Sequence, residues 1–269
     1  MIWVNGVASD CLSVTDRGLL YGDGVWETLA VTQGQPQLLE WHLERLQQGL
    51  RALAIDQPDW AMLRTEIDHA CHVQVSGVLK LMITRGSGSR GYNPNPVRGN
   101  TRILQTSDYT AVPAGYTENG IRLFLCATRL AQQPRLAGFK HLNRLEQVLA
   151  RAEFGNDYQE GLVCDYQGHV IEGTMSNLFI VHKDGSVCTP DLHLCGIAGI
   201  MRRFIIQTLA DFGLRCDIRA VALTELAQAQ ALFMTNSLIG LWPVREFSNQ
   251  TYPVPPLLRD LQAAIQTLQ

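Results

Sequence analysis

The chain has 269 residues, of which 46% are hydrophobic and 17% are charged, and its formal net charge is -3. This length allows one large domain or two of ordinary size, and the composition is that of a globular protein and not of a disordered one. The small charge gives no sign of a nucleic-acid or membrane partner, and no apolar run is long enough to span a bilayer.

The first part of the chain predicts a smaller α/β domain, which we assign to residues 1–108. Asn5-Gly6 between short apolar runs indicates a tight hairpin, and Gly22 and Gly24 allow the chain to pass close to other backbone or to a ligand. The predicted elements are a hairpin at residues 2–7, strands at 27–32, 77–85 and 101–105, and helices at about 38–53 and 58–73.

Two features of this domain are candidate anion sites. Arg45 lies on the first helix near the face of His42 and Gly49, and it is either a solvated charge or an inward-pointing phosphate ligand. Residues 85–92 form a glycine-rich loop with two arginines and a tyrosine, which is either a flexible surface loop or an anion-recognising one. The loop lacks the GK[ST] ending of a nucleotide-binding loop.

Residues 109–115 are a predicted linker, and residues 116–269 are a predicted larger domain. Apolar runs predict strands, and apolar residues at helical spacing predict helices, in alternation along this domain. The predicted elements are strands at 121–126, 161–165, 215–221 and 231–237, a helix that follows Lys140, a helix that ends near 212, and a terminal helix within 253–269.

Two residues of the larger domain are candidates for chemistry. Lys140 follows Gly138-Phe139 at a helix start, where a partly shielded amine can form a Schiff base with a carbonyl compound. Glu172 ends a short apolar strand, where a buried carboxylate would require a cationic partner. The alternatives are an ordinary surface lysine and a solvated strand-end glutamate.

Two further stretches could hold a phosphate. Residues 195–199 bring glycines to a helix start, where unpaired N–H groups attract anions, although many helices begin after glycine. The strand that ends in Thr235-Asn236-Ser237 adds hydroxyl and amide groups. By residue type, an amine, a carboxylate, an arginine and a phosphate-ready helix start are the partners that pyridoxal phosphate needs.

The seven cysteines are scattered and never form a CxxC pair. We therefore expect neither a zinc site nor another metal site nor a disulfide framework. Buried thiols in a reducing compartment are the simpler interpretation, and the beginning of the chain lacks the features of a signal peptide. Together these observations predict a cytoplasmic protein.

From about Val4 to Val244 the chain resembles the fold-type IV pyridoxal-phosphate enzymes, which include branched-chain and D-amino acid aminotransferases and aminodeoxychorismate lyases. The stretches KHLNRLEQ at 140–147 and RGSGSRGY at 85–92 are typical of the lyases. The stretches YGDGVWET at 21–28 and EGTMSNLF at 172–179 are shared more widely. The resemblance implies a two-domain mixed α/β fold with the cofactor, pyridoxal 5'-phosphate, between the domains.

The resemblance also implies the roles of particular residues. Lys140 would be the Schiff-base lysine and acid/base group, Glu172 would pair with the pyridine nitrogen, and Thr28 would lie near the substrate. The phosphate ligands would be Arg45, Ile197, Ala198, Ser237 and Leu238, with Ile197, Ala198 and Leu238 acting through backbone N–H groups. Arg85, Arg90 and Tyr92 are the candidates for meeting the substrate carboxylates.

The activity implied is conversion of 4-amino-4-deoxychorismate to 4-aminobenzoate and pyruvate in folate biosynthesis, by a homodimer. The alternative is a fold-type IV aminotransferase acting on a D-amino acid, a branched-chain amino acid or an amine. Those aminotransferases carry a tyrosine five residues after the lysine, and the residue here is Leu145. This difference and the 85–92 loop favour the lyase. A non-catalytic protein on the same fold is disfavoured by the presence of Lys140, Glu172 and Thr28.

Overall fold

The computed structural model describes residues 1–88, 90–94, 99–110 and 112–268. The chain forms two compact units, Met1–Thr110 with Phe139–Asn143, and Ala111–Gly138 with Arg144–Gln269. The division after Thr110 falls inside the predicted linker, of which Ala111 lies outside the described residues. The sequence did not indicate that residues 139–143 belong with the first half. The boundaries 1–108 and 116–269 stay a prediction, because compactness alone does not show that each half folds by itself.

In the described residues of the first unit, six strands form one antiparallel sheet in the order β2-β1-β6-β5-β3-β4. The strands are β1 (Ile2–Val4), β2 (Val7–Ala8), β3 (Gly24–Thr32), β4 (Gln35–Pro36), β5 (Gly77–Thr84) and β6 (Thr101–Ser107). The helices are α1 (Arg17–Tyr21), α2 (Leu39–Ala52) and α3 (Trp60–Val73).

Local sequence explains these elements. Asn5 and Gly6 have φ of 51° and 80°, as a two-residue hairpin turn requires, and the predicted hairpin is confirmed by the antiparallel pairing of β1 with β2. The Asp59 side chain caps the beginning of α3 by accepting from two backbone N–H groups. Along β3, buried residues alternate with half-buried ones, so one face joins the core with α2 and the other does not.

The second unit contains, in its described residues, a mixed sheet of nine strands in the order β12-β11-β10-β13-β14-β7-β8-β9, with β15 on β14. The strands are β7 (Ile121–Leu130), β8 (Glu160–Asp165), β9 (Val170–Gly173), β10 (Asn177–Val181), β11 (Val187–Pro190), β12 (Cys216–Arg219), β13 (Ala231–Asn236), β14 (Gly240–Phe247) and β15 (Gln250–Thr251). The helices are α4 (Ala114–Asn119), α5 (Leu145–Ala152), α6 (Ile200–Asp211) and α7 (Pro256–Gln266), with a 3₁₀ turn at Leu223–Gln228.

Parallel pairs join β11 to β12 and join β7 to both β14 and β8, whereas the other pairs of this sheet are antiparallel. Strands β8 to β11 are buried along their whole length. The predicted mixed α/β class is therefore confirmed. Within the described part of the chain, no helix has both the length and the apolarity to cross a membrane.

The helix that follows Lys140 begins later than the sequence predicted. Leu142 lies in a bend, and α5 starts only at Leu145. The apolar stripe that indicated the helix lies on its outside, because Leu145, Val148 and Leu149 are all exposed. Apolar residues at helical spacing show that a helix has an apolar face. They do not show which part of the protein, if any, covers that face.

Candidate active site

Lys140 lies in an extended segment that pairs with the beginning of β3. Its carbonyl accepts from the Trp26 N–H at 2.9 Å, and the Leu142 N–H donates to the Gly24 carbonyl at 3.0 Å. The Lys140 Nζ stands 3.7 Å from the centroid of the Trp26 ring, and the side chain is half-buried. The lysine is thus held on an aromatic face and is not an ordinary surface lysine.

Strand β3 presents site groups on both of its faces. Trp26 and Thr28 are half-buried on one face, whereas Glu27 between them is buried against α2. Thr28 lies opposite Lys80 of β5, whose Nζ is 4.7 Å from the same indole ring. The half-buried face therefore places a hydroxyl and a second ammonium on the sheet that holds Lys140.

Arg45 is buried, and its guanidinium is bound to Glu27. The Nε donates to Glu27 Oε1 at 2.8 Å and the Nη2 donates to Oε2 at 2.5 Å. The His42 Nδ1 lies 2.6 Å from the same Oε2. Of the two interpretations of Arg45, the solvated surface charge is excluded, because only 8% of the residue is exposed.

Glu172 supplies a buried carboxylate in the second unit, with 4% of the residue exposed. Its Oε2 accepts from the Ile197 N–H at 2.8 Å. Arg144 is close enough for its charge to act: burial lowers the pKa of Arg144, and Glu172 opposes that effect. The solvated strand-end interpretation of Glu172 is therefore excluded.

The segment before α6 is shaped by glycine and by one amide side chain. Gly196 has φ of 88°, and a Cβ at that position would crowd the side chains of Ile171 and Leu192. The Asn177 Nδ2 donates to the Ile197 carbonyl at 2.9 Å, and its Oδ1 accepts from the Gly199 N–H at 3.1 Å. The Asn177 side chain thus holds the backbone that leads into α6 through both a carbonyl and an N–H group.

The predicted backbone ligands of the phosphate already have acceptors within the protein. The Ile197 N–H donates to Glu172, the Ala198 N–H donates to the Gly138 carbonyl at 2.9 Å, and the Leu238 N–H donates to the Asn236 Oδ1 at 2.8 Å. These three residues could bind a phosphate only by sharing or exchanging those acceptors. Ser237 lies half-buried in the turn between β13 and β14, next to Leu238.

The glycine-rich loop divides into a fixed and an exposed part. Arg85 is buried, donates to both Asp23 carboxylate oxygens, and donates to the carbonyls of Leu53 and Ala54. These contacts fix the Arg85 guanidinium within the first unit, and its role at a substrate carboxylate stays a prediction. Arg90 and Tyr92 are exposed, and Ser89 between Arg85 and Arg90 lies outside the described residues.

Arg17 holds the exposed part of the loop. Its Nη1 donates to the Gly91 carbonyl at 2.8 Å, and its Nη2 donates to the Tyr92 carbonyl at 3.1 Å. The Tyr92 ring meets the Tyr21 ring edge to face, with centroids 5.4 Å apart. Gly91 and Tyr92 are therefore held in place by the first unit, and Arg90 and Tyr92 stay candidates for substrate contact.

Comparison with known proteins gives the family. The family described as amino-transferase class IV matches residues 24–247. The chain belongs to this family. An aminodeoxychorismate lyase of Vibrio harveyi is 39% identical over 99% of this chain and 100% of its own length.

A crystal structure of 4-amino-4-deoxychorismate lyase from Pseudomonas aeruginosa superposes with a TM-score of 0.96 at 48% identity, covering 99% of this chain and 98% of that one. A putative branched-chain-amino-acid aminotransferase of Methanocaldococcus jannaschii is 31% identical over 93% of this chain and 88% of its own length. The resemblance drawn from the motifs is thereby confirmed, as is the fold-type IV architecture.

The cofactor is pyridoxal phosphate, as the family membership shows. Each unit, considered by itself, contains side chains of the kinds that bind pyridoxal phosphate. The first unit offers the half-buried amine of Lys140 and the buried guanidinium of Arg45, and the second offers the buried carboxylate of Glu172. An amine, a cation for the phosphate and a carboxylate for the ring nitrogen are the groups that this cofactor requires.

Several residues that shape the site could not be assigned a role from the sequence. Trp26, Glu27 and Asn177 had been quoted within motifs but had received no role. For Glu27 a signal existed, because the period of two along β3 places it on the opposite face from Thr28 and toward the helix of Arg45. Nothing in the sequence indicated that Asn177 would clamp the backbone before α6.

Proposed function

We propose that the chain is an aminodeoxychorismate lyase, which converts 4-amino-4-deoxychorismate to 4-aminobenzoate and pyruvate in folate biosynthesis. The observation that carries the proposal is the full-length match to the Pseudomonas aeruginosa lyase at 48% identity and a TM-score of 0.96. The 39% identity to the Vibrio harveyi lyase supports it independently of the structure. The Lys140 and Glu172 side chains supply the required chemistry.

Pyridoxal phosphate, when bound, withdraws electrons from the carbon that carries the substrate nitrogen. Lys140 Nζ then removes the proton from that carbon, which is general base catalysis by a positioned amine. Glu172 would accept a hydrogen bond from the ring nitrogen and so keep it protonated. The C–O bond between the enolpyruvyl group and the neighbouring ring carbon would then break, and the departing enolpyruvate would take up a proton to become pyruvate. The product ring becomes aromatic, which supplies much of the driving force.

The remaining candidates bind and orient. Arg45, together with Ser237, would hold the phosphate, and Thr28 would lie beside the reacting carbon and assist proton transfer. Arg90 and Tyr92 would meet the two substrate carboxylates, since guanidinium and phenol groups are suitable donors. Each of these assignments rests on position and residue type.

The test is a turnover assay on the purified protein with aminodeoxychorismate as substrate. We expect equimolar release of 4-aminobenzoate, followed by its fluorescence, and of pyruvate, without any added keto acid. Lys140→Ala is the control, and it should abolish release of both products. Persistence of full turnover in that variant would refute the assignment of Lys140.

The alternative function is an aminotransferase, favoured by the 31% identity to the Methanocaldococcus jannaschii relative. The absence of a hydroxyl at Leu145 argues against it, since leucine cannot hydrogen-bond to the cofactor where the aminotransferases use tyrosine. Transfer of an amino group from an amino acid to a keto acid, with no 4-aminobenzoate formed, would decide for the alternative.

We further propose a homodimer. The α5 residues Leu145, Val148 and Leu149 are 76%, 59% and 60% exposed in the single chain, and such apolar faces mark contact surfaces. Light scattering after size exclusion should give twice the chain mass. Leu149→Glu should shift the mass toward the monomer, whereas Ile218→Glu, at another exposed apolar position on β12, should not. A monomeric parent protein would refute the proposal.

A cytoplasmic location is proposed on the state of the thiols. Cys71, Cys126 and Cys195 are buried and free, and burial raises the pKa of the Cys126 thiol to about 12. Such thiols persist in their reduced form in a reducing compartment. Fractionation of the source cells, with recovery of the protein outside the cytoplasmic fraction, would contradict this location.

A further inference from the structure

Glu27 lies between Arg45 and His42 and is buried, with 1% of the residue exposed. Burial raises the pKa of Glu27, but the charge and hydrogen bonds of Arg45 and His42 prevail and hold it at about 2. Burial lowers the pKa of His42. Because an ionised carboxylate only accepts, the His42 Nδ1 must be the donor in its 2.6 Å contact with Glu27 Oε2.

The guanidinium of Arg45 has one edge formed by Nε and Nη2, and that edge is occupied by Glu27 in a two-point contact. Such a fork fixes both the position and the plane of the guanidinium. The Nη1 end is then directed by the same contact. A flexible side chain is thereby oriented before any ligand arrives.

We propose that Glu27 is a positioning residue that orients Arg45 for the cofactor phosphate, and that His42 fixes Glu27. The inference rests on the proposed phosphate-binding role of Arg45. In this arrangement Glu27 would act on the cofactor phosphate only through Arg45. It acts from the core face of β3, opposite to the face that carries Trp26 and Thr28.

A rival account treats Glu27 only as a counter-charge for Arg45. The two accounts predict opposite signs. If Glu27 only neutralises Arg45, then Glu27→Gln leaves the positive charge of Arg45 uncompensated, and the affinity for the phosphate rises. If Glu27 orients Arg45, the same substitution lowers the affinity even though it removes a negative charge.

The experiment measures cofactor affinity of the cofactor-free protein by titration, followed by the visible absorbance of the cofactor bound to Lys140. We expect Glu27→Gln to weaken pyridoxal phosphate by about tenfold, the lower end of what loss of an orienting partner costs. Pyridoxal, which lacks the phosphate, is the matched ligand, and its affinity should not change. Equal weakening of both ligands would make Glu27 a general structural residue and overturn the inference, as would tighter binding of pyridoxal phosphate.

A double-mutant cycle shows whether Glu27 acts through Arg45. In an Arg45→Lys background, Glu27→Gln should have little further effect on pyridoxal phosphate, because the fork is already lost. Additive losses would overturn the inference, and so would unchanged affinity in Arg45→Lys alone. The titration contains no aminodeoxychorismate, so its outcome is independent of whether the lyase assay succeeds.

Variants of His42 provide a second test of the inference if Glu27→Gln does not fold. His42→Leu removes the donor to Glu27 Oε2, and we expect a smaller loss that is again confined to pyridoxal phosphate. His42→Asn, whose amide nitrogen can replace Nδ1 as the donor, should recover most of the affinity. Equal affinities of these two variants for pyridoxal phosphate would contradict the role given to His42.

Discussion

The two units supply different kinds of functional group. The first unit contributes cationic side chains, each held by a partner: Lys140 by the Trp26 ring and Arg45 by Glu27. The second unit contributes one carboxylate, Glu172, and a backbone segment whose course depends on Gly196 and Asn177. The candidate groups of the first unit are therefore side chains, whereas those of the second unit come mainly from the backbone.

This difference determines how the candidate groups of each unit respond to substitution. A side-chain group is lost when its residue is replaced, and a positioning partner can be changed separately from the group that it orients. Backbone groups survive most substitutions and fail only where the chain conformation itself is disturbed. Four substitutions test this contrast.

Lys140→Ala should have the largest effect, because the proposed mechanism uses this one amine both to bind the cofactor and to move a proton. We expect turnover to fall by at least about a thousandfold, within the range for a lost acid/base group, together with loss of the visible absorbance of the bound cofactor. Lys80→Ala, which removes the other ammonium near Trp26, should keep that absorbance. Retained absorbance in Lys140→Ala would contradict the role of the first unit.

Glu172→Gln tests the carboxylate that the second unit contributes to the candidate site. The amide keeps the shape but no longer favours a protonated ring nitrogen, so we expect turnover to fall by about a hundredfold or more. Cofactor binding should survive, since the phosphate and Lys140 are untouched. The measurement is turnover at saturating cofactor, beside the cofactor absorbance. A variant with the turnover of the parent protein would remove Glu172 from the mechanism.

Sequence alone predicted the residue types of the site better than their bonding. Lys140 and Glu172 could be found because an amine beside an aromatic and a carboxylate beside a glycine are visible in the chain. That the family uses pyridoxal phosphate was also predicted and is confirmed. The cofactor, substrate and phosphate roles of individual residues stay predictions.

The hydrogen-bond acceptor of each donor group could not be predicted from the sequence. Arg85, a predicted substrate ligand, is bound to Asp23, and the amides of Ile197 and Ala198 already have acceptors. Hydrogen-bond partners are set by tertiary packing between residues far apart in the chain, which residue type and spacing do not encode. For the same reason, the sequence did not show that the apolar residues of α5 lie on its exposed face.

Acid should reveal the contribution of Glu27 to stability. Its pKa is lowered from 4.5 to about 2 in the folded protein. A carboxyl with a lower pKa in the folded state stabilises the fold above its unfolded pKa, and this contribution disappears as the pH falls from about 4.5 to 2. The shift corresponds to about 3 kcal/mol.

The measurement is the free energy of unfolding of the parent protein and of Glu27→Gln at several pH values. Their difference should be constant from pH 7 to about 5 and should shrink on further acidification. Glu40, an exposed carboxylate paired with Arg64, provides the control, because Glu40→Gln should change stability by less than about 1 kcal/mol at any pH. A difference between parent and Glu27→Gln that does not depend on pH would show that Glu27 is not ionised in the folded protein.

Gly196→Ala tests the backbone half of the site with the smallest change. Gly196 and Gly185 have φ of 88° and 84°, so alanine is strained at both, but only at Gly196 would the new Cβ crowd other side chains. We expect both variants to lose about 1 kcal/mol from the strain, and Gly196→Ala to lose about 1–3 kcal/mol more. Denaturant unfolding measures this difference, and cofactor titration should show weaker binding for Gly196→Ala alone. If the two variants behave alike, the segment before α6 is less constrained than its packing implies, and the candidate groups of the second unit do not depend on the conformation of its backbone.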